Sequence, residues 1–168
     1  APGLALDVYR PRGADNAPVV VFFYGGGWTS GARADYRFVG RRLADAGMLA
    51  IVADYRLFPE ATFPGFVEDG ATAVAWARRH AAEHGGDPAR VYVAGHSAGA
   101  QIAALLGTDA RYLRAQGLQP RDLAGVIGLS GPYDFVIDEA LAPIFGPGPA
   151  GPMRSRWRSW MAMSRRSC

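Results

Sequence analysis

The chain has 168 residues and 17.9 kDa, about one ordinary domain, with 49% apolar and 20% charged residues, enough apolar material for a packed core. Its one cysteine, Cys168, excludes an internal disulfide, and no run of 18 apolar residues offers a membrane span. The net charge of +3 comes entirely from arginine, and five of the 18 arginines (Arg154, Arg156, Arg158, Arg165 and Arg166) lie in an acid-free segment from 154 to 168. Without them, 13 arginines face 15 acids, a net of −2, so the basic character belongs to a tail and not to a nucleic-acid-binding face.

In chain order, Leu4 to Tyr9 alternates apolar and polar residues, as an edge or half-buried strand does. Pro11 to Pro18 reads as a turn. Val19 to Tyr24 (VVVFFY) is continuously apolar and predicts a central strand covered on both faces. Glycines 25, 26 and 27 follow at once, then Trp28. Tyr36, Val39 and Leu43 predict a helix over Ala32 to Ala46, capped by Gly47. Leu49 to Ala53 is a second buried strand, and Phe58 to Pro64 a crossover loop. A long amphipathic helix is predicted over Phe66 to His84, then a strand over Val91 to Ala94. Ala98 to Leu106 reads as a small-residue helix, 110 to 116 as a short helix capped by Asp109, and Ala124 to Leu129 as a further strand. Strands and helices in alternation predict an α/β fold with a mostly parallel sheet between helical layers.

The chemistry concentrates after two of the strands. Gly95-His96-Ser97-Ala98-Gly99 is a G-x-S-x-G pattern directly between a strand and a helix. Glycines on either side of the serine admit a tight turn that lifts its hydroxyl above the sheet, next to the free N–H groups and partial positive charge of a helix N-terminus. The alternative for Ser97 is a helix-capping serine between packing glycines. Three glycines after the first central strand allow inward-turned N–H groups, donors of the kind an oxyanion needs. Gly26, Gly27 and Ala98 are the expected donors. Phosphate binding is the rival for a glycine-rich turn. No G-x-G-x-x-G with an acidic partner is present, and a chain without lysine has no P-loop.

These stretches together, LDVYRP, VVVFFYGGGW, ADYRLFPE, FPGFVEDGATAVAWARRH, GGDPARVYVAGHSAGA and LAGVIGLSGPYDF, resemble the α/β-hydrolase superfamily. Within it they resemble the carboxylesterases related to hormone-sensitive lipase and the bacterial esterase, feruloyl-esterase and kynurenine-formamidase-like groups. The resemblance implies a three-layer α/β/α sandwich lacking its C-terminal strands, and an ester hydrolase working through an acyl-enzyme on Ser97, with no cofactor and no metal. Tyr24, Trp28, Tyr55, Phe58, Phe63 and His96 are the expected pocket residues for a small or medium acyl ester, and Tyr55 with Glu60 to Pro64 the expected support for the site.

Two departures stand out. Tyr24 occupies the position where such chains usually carry the histidine of a His-Gly-Gly-Gly loop. The triad acid and histidine, which follow the serine in that family, have no convincing counterpart in these 168 residues: His96 belongs to the turn, His80 and His84 to a helix, and Asp54, Asp69 and Asp134 to supporting positions. The expectation is an impaired esterase, with a non-catalytic binding protein or a formamidase-type amide hydrolase as alternatives. Residues 1–146 are expected to be the first part of the hydrolase domain. Residues 147–168, rich in Gly, Pro, Arg and Trp, read as an aberrant or disordered tail, as a frameshift would produce. Val126, Ile127 and Leu129 should lie on an open sheet edge and favour self-association. With no signal-peptide pattern, a cytoplasmic location is expected.

Overall fold

The apolar runs become the middle of one five-stranded sheet. The computed structural model describes residues 3–13 and 15–146, so the expectations for the 147–168 tail lie outside the described residues. The strands are β1 (Leu6–Tyr9), β2 (Ala17–Phe23), β3 (Leu49–Ala53), β4 (Gly86–His96) and β5 (Gly125–Leu129), in the spatial order β1-β3-β2-β4-β5. All neighbours are parallel except β1, which pairs antiparallel with β3 at one edge.

A side-chain period of two along β2 feeds two separate cores. Val20 and Phe22 face one side with Val52 and Ala94, where Tyr36, Val39 and Leu43 on and before helix α1 (Arg37–Asp45) cover them. Val19, Val21 and Phe23 face the other with Ile51 and Val93, under helices α2 (Gly65–His80) and α3 (Ala98–Thr108). Helices on both faces of a mostly parallel sheet make the three-layer sandwich that the alternation of elements predicts.

Most differences from the sequence reading concern ends. The helix expected from Ala32 opens as a 3₁₀ turn over Arg33–Tyr36, because the Asp35 carboxylate accepts from the Ala32 N–H (3.0 Å) and tightens that turn. The long helix stops as α-helix at His80 and closes through a 3₁₀ turn into Gly85, whose φ of 81° suits glycine. Strand β4 is longer than Val91–Ala94 at both ends, since its ladder with β2 reaches back to Ala17↔Gly86. Helix α4 (Ala110–Arg114) is capped by the Asp109 side chain as expected. A last turn of helix, α5 (Ala142–Phe145), was not anticipated; it is short, and what holds it is Ile144 and Phe145 packing into the core around Trp28.

The two sheet edges differ. β1 is half-buried, and its Asp7 is ion-paired with Arg33. β5 carries Val126, Ile127 and Leu129 at 42, 46 and 49% exposure. The sequence places these three on an open edge, and that is where they lie.

Candidate active site

β2 and β4 are parallel neighbours, so the segments that leave their C-terminal ends must meet. Their ladder runs in register from Val19↔Val91 to Phe23↔Gly95, two positions before the glycine triplet on one strand and before Ser97 on the other. Positions about seventy residues apart in sequence are thereby brought to the same end of the sheet.

Ser97 sits at the junction of β4 and α3 with φ 51° and ψ −119°, a region that non-glycine residues rarely adopt and that costs about 1–3 kcal/mol. The surroundings hold it there. Its N–H donates to the Leu129 carbonyl at the end of β5 (2.8 Å), and its carbonyl accepts from the Ala100 and Gln101 N–H groups, starting α3. The flanking glycines are needed for approach: a Cβ on Gly95 would strike the Gly99 carbonyl, and one on Gly99 would strike the Phe23 carbonyl. Ala98 is the first helical residue, so its N–H has no intrahelical acceptor and stands at the positive end of α3.

The glycine loop lies against this turn. A Cβ built on Gly25 would be 3.1 Å from the Ser97 Cβ and 2.8 Å from His96 Nδ1. The Gly26 carbonyl accepts from the Thr29 N–H, the Ser30 N–H (3.0 Å) and the Ser30 hydroxyl (2.9 Å). The Gly25 carbonyl is also turned toward the 30–31 backbone, where it occupies the space a Cβ on Gly31 would need. In a trans peptide the N–H points opposite to the carbonyl it is joined to. The N–H groups of Gly26 and Gly27 are therefore both turned away from the 29–31 segment, on a common side. Ser30 and Gly31, which fix these two peptide planes, were missed by the sequence reading; the signal was a further glycine four residues after the triplet, and the structure places it at a φ of 100°.

The expected pocket residues divide. Phe58, Phe63 and His96 are half-buried. Tyr24, Trp28 and Tyr55 are interior residues, at 3, 5 and 2% exposure, packed beside the glycine loop. Aromatic bulk is the reason. Tyr24 stacks on Tyr55 at 4.6 Å between ring centroids, and the Tyr55 hydroxyl donates to the Tyr24 carbonyl (2.8 Å). Burial, reinforced by the nearby Asp54 carboxylate, pushes the Tyr24 phenol up to about 12, and burial raises that of Tyr55 further. Tyr24 thus remains neutral beside Asp54. Asp54 in turn meets Arg33 at 2.8 Å, side-on rather than along the N–H, and Arg33 also reaches Asp7.

Trp28 has a φ of 62° and is pinned by three partners. Its carbonyl accepts from the Phe58 N–H (2.8 Å), its ring packs edge-on against Phe145 at 4.8 Å, and its Nε1 donates to Gln101 Oε1 (3.2 Å) on α3. Gln101 Nε2 is buried with no hydrogen-bond partner among the described residues.

The three histidines are all described, and each is engaged. His80, the last residue of α2, meets Glu83 at 3.0 Å and stacks on Trp76, and His84, at the end of the following 3₁₀ turn before β4, stacks on the same ring. His96 Nδ1 is 2.7 Å from the Tyr36 hydroxyl. Asp69 is buried and holds Arg56 through three hydrogen bonds, so it is a structural acid. Asp134 is exposed after the end of β5. No cluster of metal-ligand type occurs among the described residues, and no described helix is long and apolar enough to cross a membrane.

A serine on a strained turn between a parallel strand and a helix, in a three-layer sandwich, defines the α/β-hydrolase class. Residues 6–145 match the BD-FAE family, and the chain belongs to that family. It is 44% identical over 104 residues to the carboxylesterase NlhH of Mycobacterium tuberculosis, covering 61% of this chain and 33% of that protein. It is 37% identical over 135 residues to a probable isoprenylcysteine alpha-carbonyl methylesterase of Oryza sativa subsp. japonica, covering 77% of this chain and again 33% of the relative. Among solved structures it is similar to esterase 2 of Thermogutta terrifontis phosphoramylated by tabun, with a TM-score of 0.73 and 31% identity over 87% of this chain and 58% of that one. The chain thus spans about a third of the length of the curated relatives it matches.

Proposed function

We propose that the chain carries the nucleophile half of a serine carboxylesterase site, for carboxylic esters with small or medium acyl groups. The observation that carries this reading is Ser97 at φ 51° with the glycine loop of the neighbouring strand packed against its Cβ. In the proposed reaction, Ser97 Oγ adds to the ester carbonyl carbon and its proton passes to a base. Negative charge on the carbonyl oxygen is held by the N–H groups of Ala98, Gly26 and Gly27. Collapse expels the alcohol and leaves an acyl ester on Ser97. Water then adds to that ester, the carboxylic acid leaves, and Ser97 regains its proton.

The base is the incomplete part. His80 and His84 stand at the other end of β4, and His96 is committed to Tyr36. An unassisted serine hydroxyl is a weak nucleophile, so these 168 residues by themselves should turn over slowly, with the donors supplying a residual acceleration. A short-chain p-nitrophenyl ester tests this. Weak turnover that disappears in Ser97→Ala supports the reading, whereas turnover unchanged by that substitution defeats it. A formamide or other amide assayed beside it compares the nearest alternative chemistry.

The engaged histidines also favour a second reading, a non-catalytic binding protein on the same fold. Labelling of Ser97 by a fluorophosphonate, in which the serine oxygen displaces fluoride from phosphorus, separates the two. The apolar β5 edge supports pairing between copies, which sedimentation over a range of concentrations would reveal.

A further inference from the structure

Tyr36 is the residue before α1, packed against both cores at this end of the sheet, and nothing in its sequence context marks it as more than a core aromatic. Its hydroxyl makes two bonds at once. The oxygen accepts from the Gly25 N–H (3.2 Å), the first amide of the glycine loop, and it lies 2.7 Å from Nδ1 of His96, the residue before the nucleophile. Since the Gly25 N–H already uses the phenol as an acceptor, the phenolic proton is free to go to His96 Nδ1. In that arrangement Nδ1 is the acceptor and the ring proton sits on Nε2. One hydroxyl therefore ties the loop after β2 to the turn after β4. The ring is held independently of this hydroxyl, by Phe22 at 5.5 Å, Tyr24 at 6.3 Å and Phe38 at 6.1 Å between centroids.

We propose that Tyr36 is a positioning residue for acyl transfer at Ser97: its hydroxyl, anchored on His96, fixes the distance between the oxyanion loop and the nucleophile. The inference rests on the esterase reading. It also assigns His96 a use other than proton abstraction. Gly25 abuts both His96 Nδ1 and the Ser97 Cβ, so a shift of this peptide moves the loop directly against the serine. Errors of about 1 Å in such donors cost up to about a hundredfold in rate.

The test uses Tyr36→Phe, which keeps the ring and its packing, with an uncharged alkyl fluorophosphonate as probe. The inactivation rate constant at saturating probe should fall roughly tenfold, while the half-saturating concentration and the melting temperature stay at wild-type values. His96→Leu should fall by the same factor, and the double variant no further than either, because all three remove one shared link. His96→Asn, which returns an acceptor near Nδ1, should recover rate relative to His96→Leu. Independently of Ser97 chemistry, exchange of the Gly25 amide with deuterated water should quicken tenfold or more in Tyr36→Phe. A tyrosine of merely structural importance would lower the melting temperature and leave the double variant additive. Unchanged inactivation and unchanged Gly25 exchange overturn the proposal, and so does a far larger loss in both His96 variants than in Tyr36→Phe, which would make His96 the base. If the wild-type chain does not label at all, the esterase reading fails, and the amide exchange alone decides whether the clamp exists.

Discussion

The nucleophile turn and the β5 edge lie next to one another on the sheet and are built on opposite principles. At Ser97 the residue's own N–H and carbonyl are both hydrogen-bonded, to Leu129 on one side and to Ala100 and Gln101 on the other. Gly95, Gly99 and Gly31 leave no room for a single added carbon, and Tyr36, Tyr55 and Gln101 tie the glycine loop and its flanking residues to three different elements. One strand away, β5 presents three apolar side chains half open to solvent. Strain can be stored at the first place because the surroundings over-determine it; the second has freedom and no use for strain.

The most damaging way to test this contrast is Gly99→Ala. The new methyl group would meet the Phe23 and Tyr24 carbonyls, backbone that cannot give way, so a loss of more than about 3 kcal/mol is expected, read as loss of the cooperative thermal transition. Alkali should come next. The phenols of Tyr24, Tyr55 and Tyr112 are all raised by burial from an ordinary value of 10.0. A raised acid favours the folded state fully below the unfolded value and loses that contribution as pH climbs through the folded one. Stability should therefore fall steeply from pH 10.0 toward about 12, and absorbance near 295 nm should show tyrosines ionising together with unfolding. Ser97→Gly is expected to act in the opposite direction, because glycine adopts the φ of 51° without penalty: a gain of about 1 kcal/mol, a few degrees in Tm, together with complete loss of labelling at position 97. The smallest effect on stability belongs to the open edge. Ile127→Lys should change unfolding free energy by less than about 1 kcal/mol, yet it should weaken any association between copies seen by sedimentation. If Ile127→Lys proved as destabilising as Gly99→Ala, the distinction between the two regions would be lost.

The sheet and its layers were legible because strands such as VVVFFY and LAIVA are too short and too continuously apolar to be anything but buried strands. Ser97 and the glycine triplet were legible because their chemistry is confined to a few adjacent residues. The supporting contacts were not, and the reason is distance along the chain. Tyr36 reaches His96 across 60 residues and Trp28 reaches Gln101 across 73. Each of these residues, read singly, is an ordinary core side chain. The same limit hid what Tyr24, Trp28 and Tyr55 rest on: an aromatic next to a reactive motif can be read as pocket wall or as support, and its packing partners lie far away in the chain.

The parallel ladder between β2 and β4 has a consequence for how tolerant such a site can be of change. The separation between serine and glycine loop is set by which residue of one strand lies beside which residue of the other, Phe23 against Gly95. Sliding the strands by one place would displace the loop by about 3.3 Å and turn each side chain of the moved strand to the wrong core. The ladder absorbs one irregularity at its far end, between Ala17 and Val19, but from Val19 to Phe23 it runs unbroken, so a residue inserted in that stretch would shift the loop against the serine. The connections between strands are where the chain can lengthen with the least disturbance to that spacing.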